Sequence, residues 1–225
     1  MIETENTFVF IPGAWHGGWA YDSITKKMEK NGRKCFSLTL PGLELQSETQ
    51  NQIINLDTHI QYVVDVLVKE KLDKVFLCGH SYAGLVITGV ADKIPQRIYA
   101  LVYIDAYIPK NGDSCWKLTS EEYRHHFTNG ASYNGFTVAD FPNVDNRRRP
   151  HPLATFMQSL HLTGNYQRVH NRTFIYLTGW TNTPFKKQYE TLKDSSEWRI
   201  LTVNCGHNIM KENPDRLIEI LNEIQ

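Results

Sequence analysis

The chain has 225 residues, 41% of them hydrophobic, enough for one domain to bury a core without metals or disulfides. Lys plus Arg and Asp plus Glu number 24 each, so the even charge balance speaks against nucleic acid or an anionic membrane as a partner. No apolar stretch approaches the length of a membrane span, so no membrane partner is expected.

Met1-Ile2-Glu3-Thr4-Glu5-Asn6 is acidic and polar, without the basic-then-apolar form of a secretory signal. Thr7 to Ile11 is a β-rich run stopped by Pro12-Gly13, hence a first strand. After a Gly/Trp-rich loop, Ala20 to Asn31 reads as a helix with Gly32 as its C-terminal cap. Lys34 to Leu40 is a second strand, ended by Pro41-Gly42. Leu56, Ile60, Val63, Val64 and Leu67 share one face of an amphipathic helix. Val75 to Cys78 forms a third, buried strand, followed by a turn and a helix to about Lys93. Ile98 to Ile104 is the fourth strand, Phe174–Leu177 and Trp198–Val203 the last two. Asn213 caps a final helix with Pro214 at its first position, and Leu217, Ile220, Leu221 and Ile224 on one face.

Continuous apolar strands alternating with helices predict a parallel sheet covered on both faces, an α/β architecture of about six strands. The polar, aromatic stretch from Pro109 to about Asn171 breaks the alternation. A structureless loop of that length is improbable in a compact domain. Glu121–Phe127 and Leu153–Leu162 look helical, which predicts a small helical cap, 109–171, inserted between core segments 1–108 and 172–225. Arg147-Arg148-Arg149 reads as a solvated loop. The four cysteines show no metal-ligand spacing, and Cys35, Cys78 and Cys205, in or beside apolar strand-like runs, read as small core residues, so a reduced, cytoplasmic protein without metal or other cofactor is expected.

Gly79-His80-Ser81-Tyr82-Ala83-Gly84 sits between the third strand and its helix. A sharp strand-to-helix turn strains the backbone and lifts the serine hydroxyl from the sheet edge, which makes Ser81 a candidate nucleophile; a serine there also fits an ordinary helix N-cap. Gly79 and Ala83 make the pattern G-x-S-x-A, alanine being the next smallest side chain after glycine. An activated serine needs a base and a carboxylate that orients it. In a strand–turn–helix architecture these follow in the order Ser, Asp/Glu, His. Among nine histidines, His207 in Asn204-Cys205-Gly206-His207 follows the last strand directly and is the candidate base, with a surface-loop histidine as the plain alternative. An oxyanion needs two preorganised amides. Tyr82, next to the nucleophile, and Ala14, in the loop Pro12 to Trp19, are the expected donors.

Pro12-Gly13-Ala14-Trp15-His16-Gly17-Gly18-Trp19, the Gly79–Gly84 turn and Cys205-Gly206-His207 resemble the α/β-hydrolase superfamily. The likeness is to its small-esterase branch of plant methyl-ester esterases, hydroxynitrile lyases and bacterial esterases. Val102–Pro109 and His151–Phe156 also look like bacterial members, and 113–146 is the least similar stretch. Many members carry the triad acid just after the penultimate strand, but Thr178–Pro184 contains none. The alternative position in the superfamily is the end of the strand after the nucleophile's helix, held here by Asp105. Asp194, Asp140 and Asp145 are rivals, and Asp105 also fits a turn cap. Hydroxynitrile lyases of the branch use a threonine in the oxyanion loop and a lysine after the histidine; this chain has Pro12-Gly13-Ala14 and Asn208.

The resemblance implies hydrolysis of a small carboxylic ester, with methyl esters, thioesters and lactones as candidates. As in other open α/β sheets, the substrate is expected between the sheet's C-terminal edge and the cap, where an apolar wall favours an uncharged ester with an apolar or aromatic group. Trp15, Tyr82, Tyr107, Trp116, His151, Phe156 and Trp180 are the candidate substrate wall, His151 having a structural capping role as its alternative. A monomer or homodimer is expected. Two rival functions share the scaffold: a lyase or cyclase using the triad as a base, and a ligand-binding receptor.

Overall fold

The computed structural model describes residues 7–45, 53–142 and 145–224; the acidic start, Met1 to Asn6, lies outside the described residues. Among the described residues there are eight strands: β1 (Thr7–Ile11), β2 (Lys34–Ser37), β3 (Val75–His80), β4 (Ile98–Ile104), β5 (Thr137–Val138), β6 (His151–Pro152), β7 (Asn171–Leu177) and β8 (Arg199–Val203). Six of them form one sheet in the order β2-β1-β3-β4-β7-β8, and every pairing in it is parallel.

Side chains alternate across each strand, so the apolar runs feed two cores. Val9, Ile11, Leu77 and Leu101 face one side. There they pack with Leu56, Ile60 and Val63 of α2 (Leu56–Lys69) and with Leu85 and Ile87 of α3 (Ala83–Lys93). Phe8, Phe10, Phe76, Cys78 and Val102 face the other. Ile24 and Met28 of α1 (Asp22–Lys30) cover them, together with Leu217 and Leu221 of the C-terminal helix Pro214–Glu223. Because α1 and α3 lie on opposite faces, the chain leaves β1 and β3 in opposite directions. The crevice this opens at their C-terminal ends is the topological switch point where open α/β sheets bind ligands. Ile11 pairs with Gly79 at that edge, placing the loop after β1 beside the turn that carries Ser81.

Between β4 and β7 the chain builds an insertion from α4 (Cys115–Leu118), α5 (Glu121–Asn129), the antiparallel β5–β6 ribbon and α6 (Leu153–Met157). Asn171, read from the sequence as the insertion's end, is the first residue of β7. The helix expected over 153–162 stops at Met157, because Gln158 turns extended and Leu160 N–H donates instead to Asp113 O at 2.7 Å. The expected second strand stops at Ser37, although Leu38 and Leu40 stay buried beyond it. α7 (Lys186–Leu192) and α8 (Ile209–Glu212) complete the helices before the last, α9 (Pro214–Glu223). α9 starts as its residues predict, with the Asn213 side chain accepting from Arg216 N–H and Pro214 in the first turn.

Trp15 ties the insertion to the sheet. Its indole N–H donates to Val138 O at 3.1 Å, its backbone N–H donates to His151 Nδ1 at 3.2 Å, and its carbonyl accepts from Arg149 N–H. Asp92, buried on α3, holds the return segment by accepting from Thr163 N–H, Thr163 Oγ1 and Tyr166 N–H.

Candidate active site

Ser81 follows β3 with φ 55°, in the left-handed region that costs a non-glycine residue on the order of 1–3 kcal/mol. The turn is pinned on both sides: Ser81 N–H donates to Ile104 O at 3.2 Å, and its carbonyl accepts from Gly84 N–H and Tyr107 N–H at 3.1 Å each. A Cβ at Gly84 would collide with the Tyr107 carbonyl oxygen, so this position admits no side chain.

Asp105 leaves β4 in a similar conformation, φ 41°, and its N–H donates to Ile175 O at 2.7 Å. The side chain has no solvent exposure. Oδ1 accepts from Leu177 N–H at 3.3 Å, and Oδ2 accepts from His207 Nδ1–H at 2.7 Å. Burial raises the Asp105 carboxyl above its ordinary value, while the His207 hydrogen bond and charge and the Leu177 amide pull it back down. The other carboxylates weighed in the sequence lie elsewhere: Asp140 faces Arg148, Asp145 pairs with Arg147, and Asp194 is exposed.

His207 stands in the loop after β8. Glu212 on α8 brackets it, Oε2 accepting from Gly206 N–H at 2.6 Å and Oε1 from Asn208 N–H at 3.3 Å. The His207 carbonyl accepts from His80 Nε2–H at 2.8 Å. His80 itself is buried, and its pKa falls well below the ordinary imidazole value, first through burial and then through the neighbouring His207 and His16.

Ala14 and Tyr82 lie across the switch point from each other, on the loops after β1 and β3. Neither amide donates to another described residue, whereas the Trp15 and Ser81 amides beside them are engaged. Gly13 makes the approach possible, since a Cβ there would stand 2.7 Å from His80 Nδ1 and 3.0 Å from Ser81 Cβ.

A cavity of about 330 Å³ opens over these groups. Ser81, His207, Ala14, Trp15, Tyr107 and Trp180 line it, so the sheet edge brings together much of what the sequence singled out. Trp116, His151, Phe156 and the Tyr82 ring do not line it. They lie behind the wall. Tyr82 is 1% exposed and its hydroxyl donates to His59 Nδ1 at 3.0 Å, the opposite His59 nitrogen donating to Pro41 O. His151 is fully buried, with Nδ1 accepting from Trp15 N–H and Nε2–H donating to Thr155 Oγ1 at 2.9 Å. The Thr155 hydroxyl hydrogen already goes to Pro152 O, which fixes this His151 tautomer. Phe156 stacks on that imidazole at 4.3 Å.

Five further wall residues carried no sequence signal of their own: His16, Tyr123, Phe141, Arg148 and Phe185. His16 stood within the oxyanion-loop motif without a role. Its Nδ1–H donates to Ala14 O at 2.8 Å, and burial, with the Arg148 charge behind it, lowers its pKa to about 4. Among the described residues, no group of three or more His, Cys, Asp or Glu could hold a metal ion, and no helix is long and apolar enough to cross a membrane.

A sequence model described as "Alpha/beta hydrolase family" matches residues 8–220. A carbendazim hydrolyzing esterase of Nocardioides sp. (strain SG-4G) is 34% identical, the alignment covering 95% of this chain and 97% of the relative. Salicylic acid-binding protein 2 of Nicotiana tabacum is also 34% identical, but over only 45% of this chain and 40% of its own. Among solved structures, an extracellular alpha/beta-hydrolase from a Paenibacillus species superposes with a TM-score of 0.83 at 22% identity, covering 97% of this chain and 98% of that one. A pyrethroid hydrolase superposes with a TM-score of 0.80 at 18% identity, covering 98% and 97%.

Proposed function

The chain belongs to the alpha/beta hydrolase family, and from that premise we propose that it hydrolyses small carboxylic esters through an acyl-enzyme formed on Ser81. It is a carboxylesterase-type hydrolase; the nucleophile, the triad and the substrate are our reading. The observation that carries it is the 2.7 Å hydrogen bond from His207 Nδ1–H to the buried Asp105, under a cavity whose wall holds both His207 and Ser81.

With Nδ1 committed to Asp105, Nε2 of His207 is the free base. It takes the Ser81 proton as Oγ attacks the ester carbonyl. The Ala14 and Tyr82 amides receive the oxyanion, each worth about 3 kcal/mol of transition-state stabilisation in such sites. His207 then protonates the departing alcohol, and next activates the water that releases the acid. Asp105 holds the imidazole in its tautomer and offsets the positive charge that develops on it. The insertion, 109–170, acts as a cap over a single domain and shapes the acyl and alcohol pockets. The Nocardioides relative is named for hydrolysing carbendazim and others for acting as methylesterases, which favours a small alcohol such as methanol as leaving group. All four cysteines are free, which suits the reducing cytoplasm as its setting.

Steady-state kinetics on p-nitrophenyl and methyl esters test the reading. Asp105→Asn preserves shape but supplies the wrong tautomer partner, and is expected to lower kcat about 10⁴-fold. Ser81→Ala is expected to abolish turnover. Full activity of Asp105→Asn would move the acid to another residue.

A further inference from the structure

The cavity wall is aromatic, with Trp15, Tyr107, Tyr123, Phe141, Trp180 and Phe185 around it. Arg148 is the only Asp, Glu, Lys or Arg among its lining residues. The backbone around it is fixed: Arg148 N–H donates to Asp145 O at 3.0 Å, Arg149 N–H donates to Trp15 O at 3.0 Å, and the Arg148 carbonyl accepts from Arg149 Nη1. The side chain is 15% exposed, and Cζ lies 5.8 Å from the Trp15 ring centroid. Asp140 Oδ2 stands 2.7 Å from Nε, yet neither atom finds an aligned hydrogen bond, so the two meet as charges. Nη1 and Nη2 donate to no described residue. A guanidinium presents its donors as a rigid planar fork. With Nε turned to Asp140, the Nη hydrogens are left for what enters the cavity or the adjoining groove, which Arg148 also lines.

Resting on the esterase reading above, we propose that Arg148 is a substrate-recognition residue: the cavity takes a flat aromatic ester whose ring bears an uncharged hydrogen-bond acceptor, and the Arg148 Nη hydrogens donate to that acceptor while the scissile carbonyl lies at Ser81. The flat body follows from the ring-lined walls. The acceptor follows from Nη donors with no protein partner on the one charged side chain of the wall, where a substrate oxygen replaces their water with a charge-assisted hydrogen bond. Its neutrality follows from Asp140. A carboxylate would meet Arg148 and Asp140 together, lose most of the Coulombic gain, and still have to shed its water against aromatic rings.

Three esters of one size test this: methyl 4-acetylbenzoate, methyl 4-isopropylbenzoate and monomethyl terephthalate, each with the wild type, Arg148→Met and Arg148→Lys. The acetyl group also activates the ester electronically, but equally in every variant, so the change in the acetyl-to-isopropyl ratio of kcat/KM is the readout. Arg148→Met is expected to lower that ratio about 10- to 100-fold, the range of a charge-assisted hydrogen bond. Arg148→Lys keeps the charge opposite Asp140 without the fork and is expected to fall between; it carries the test if the methionine variant does not fold. The wild type is expected to cleave the monoacid more slowly than the acetyl ester. An unchanged ratio in both variants, or a wild-type preference for the monoacid, overturns the proposal while leaving the esterase reading intact. Failure of the wild type on all three esters while it still cleaves p-nitrophenyl acetate overturns the proposal alone; failure on every one of these esters takes down both.

Discussion

Ser81 and Asp105 are the two strained non-glycine residues at adjacent strand ends, φ 55° and 41°, and each is held there by backbone hydrogen bonds to neighbouring strands. Around them sit four imidazoles with depressed pKa values. Burial is the leading cause in each: His16 and His59 fall to about 4, and His80 and His151 fall well below the ordinary value. The unfolded chain titrates these groups near 6.5, so below that pH it takes up protons that the folded chain refuses. Stability therefore falls as pH falls from about 6.5 toward 4, by up to about 1.4 kcal/mol per pH unit for each such imidazole, and is independent of them above that window. Asp105 works in the opposite sense. Its raised carboxyl binds a proton more readily in the folded chain and offsets part of the loss at the acid end. Urea unfolding across pH 7.5 to 4.5 is the check; a midpoint constant over that whole range would mean the imidazoles are not held neutral.

At the scale of elements, the loop after β8 depends on one carboxylate from the short helix that follows. Glu212 accepts from the amides on either side of His207, and the His80 side chain takes the His207 carbonyl. Glu212→Ala frees the loop without touching substrate. A misplaced base costs rate more than affinity, so kcat is expected to fall about 10- to 100-fold with KM little changed, and Glu212→Gln to retain more activity. Equal kcat in Glu212→Ala and the wild type would show that the loop holds its shape without the clamp. Which elements were legible in the sequence follows from burial. β1, β3 and β4 are buried runs with turn residues at their ends, and their side chains feed both cores. α7 buries no residue, so its sequence lacks an apolar stripe and nothing in it announces a helix. The 153–162 stretch is apolar because α6 packs against α2 and α4, and packing rather than periodicity ends its helix at Met157.

At the scale of the whole molecule, the switch point between β1 and β3 brings Ala14, Ser81 and His207 to one cavity, and that placement was readable, because these residues are close in sequence to strong turn signals. The cavity wall was less so. Trp15, Tyr107 and Trp180 line it, but Tyr82, His151 and Phe156 form a buried layer beneath, and a side chain's facing depends on how the insertion folds back over the sheet. Arg148 shows the same limit: in a run of three arginines, Arg147 lies in the open against Trp19 and Asp145, while its neighbour turns inward. The proposed mechanism turns on a covalent bond to Ser81. The direct measurement is active-site labelling with a fluorophosphonate, mapped by peptide mass spectrometry, alongside stopped-flow release of p-nitrophenol from a p-nitrophenyl ester. Covalent catalysis at Ser81 gives one adduct per chain on that residue, loss of activity in step with labelling, and a burst of one p-nitrophenol per active chain. Labelling at another residue, or undiminished turnover by protein fully labelled at Ser81, would contradict it.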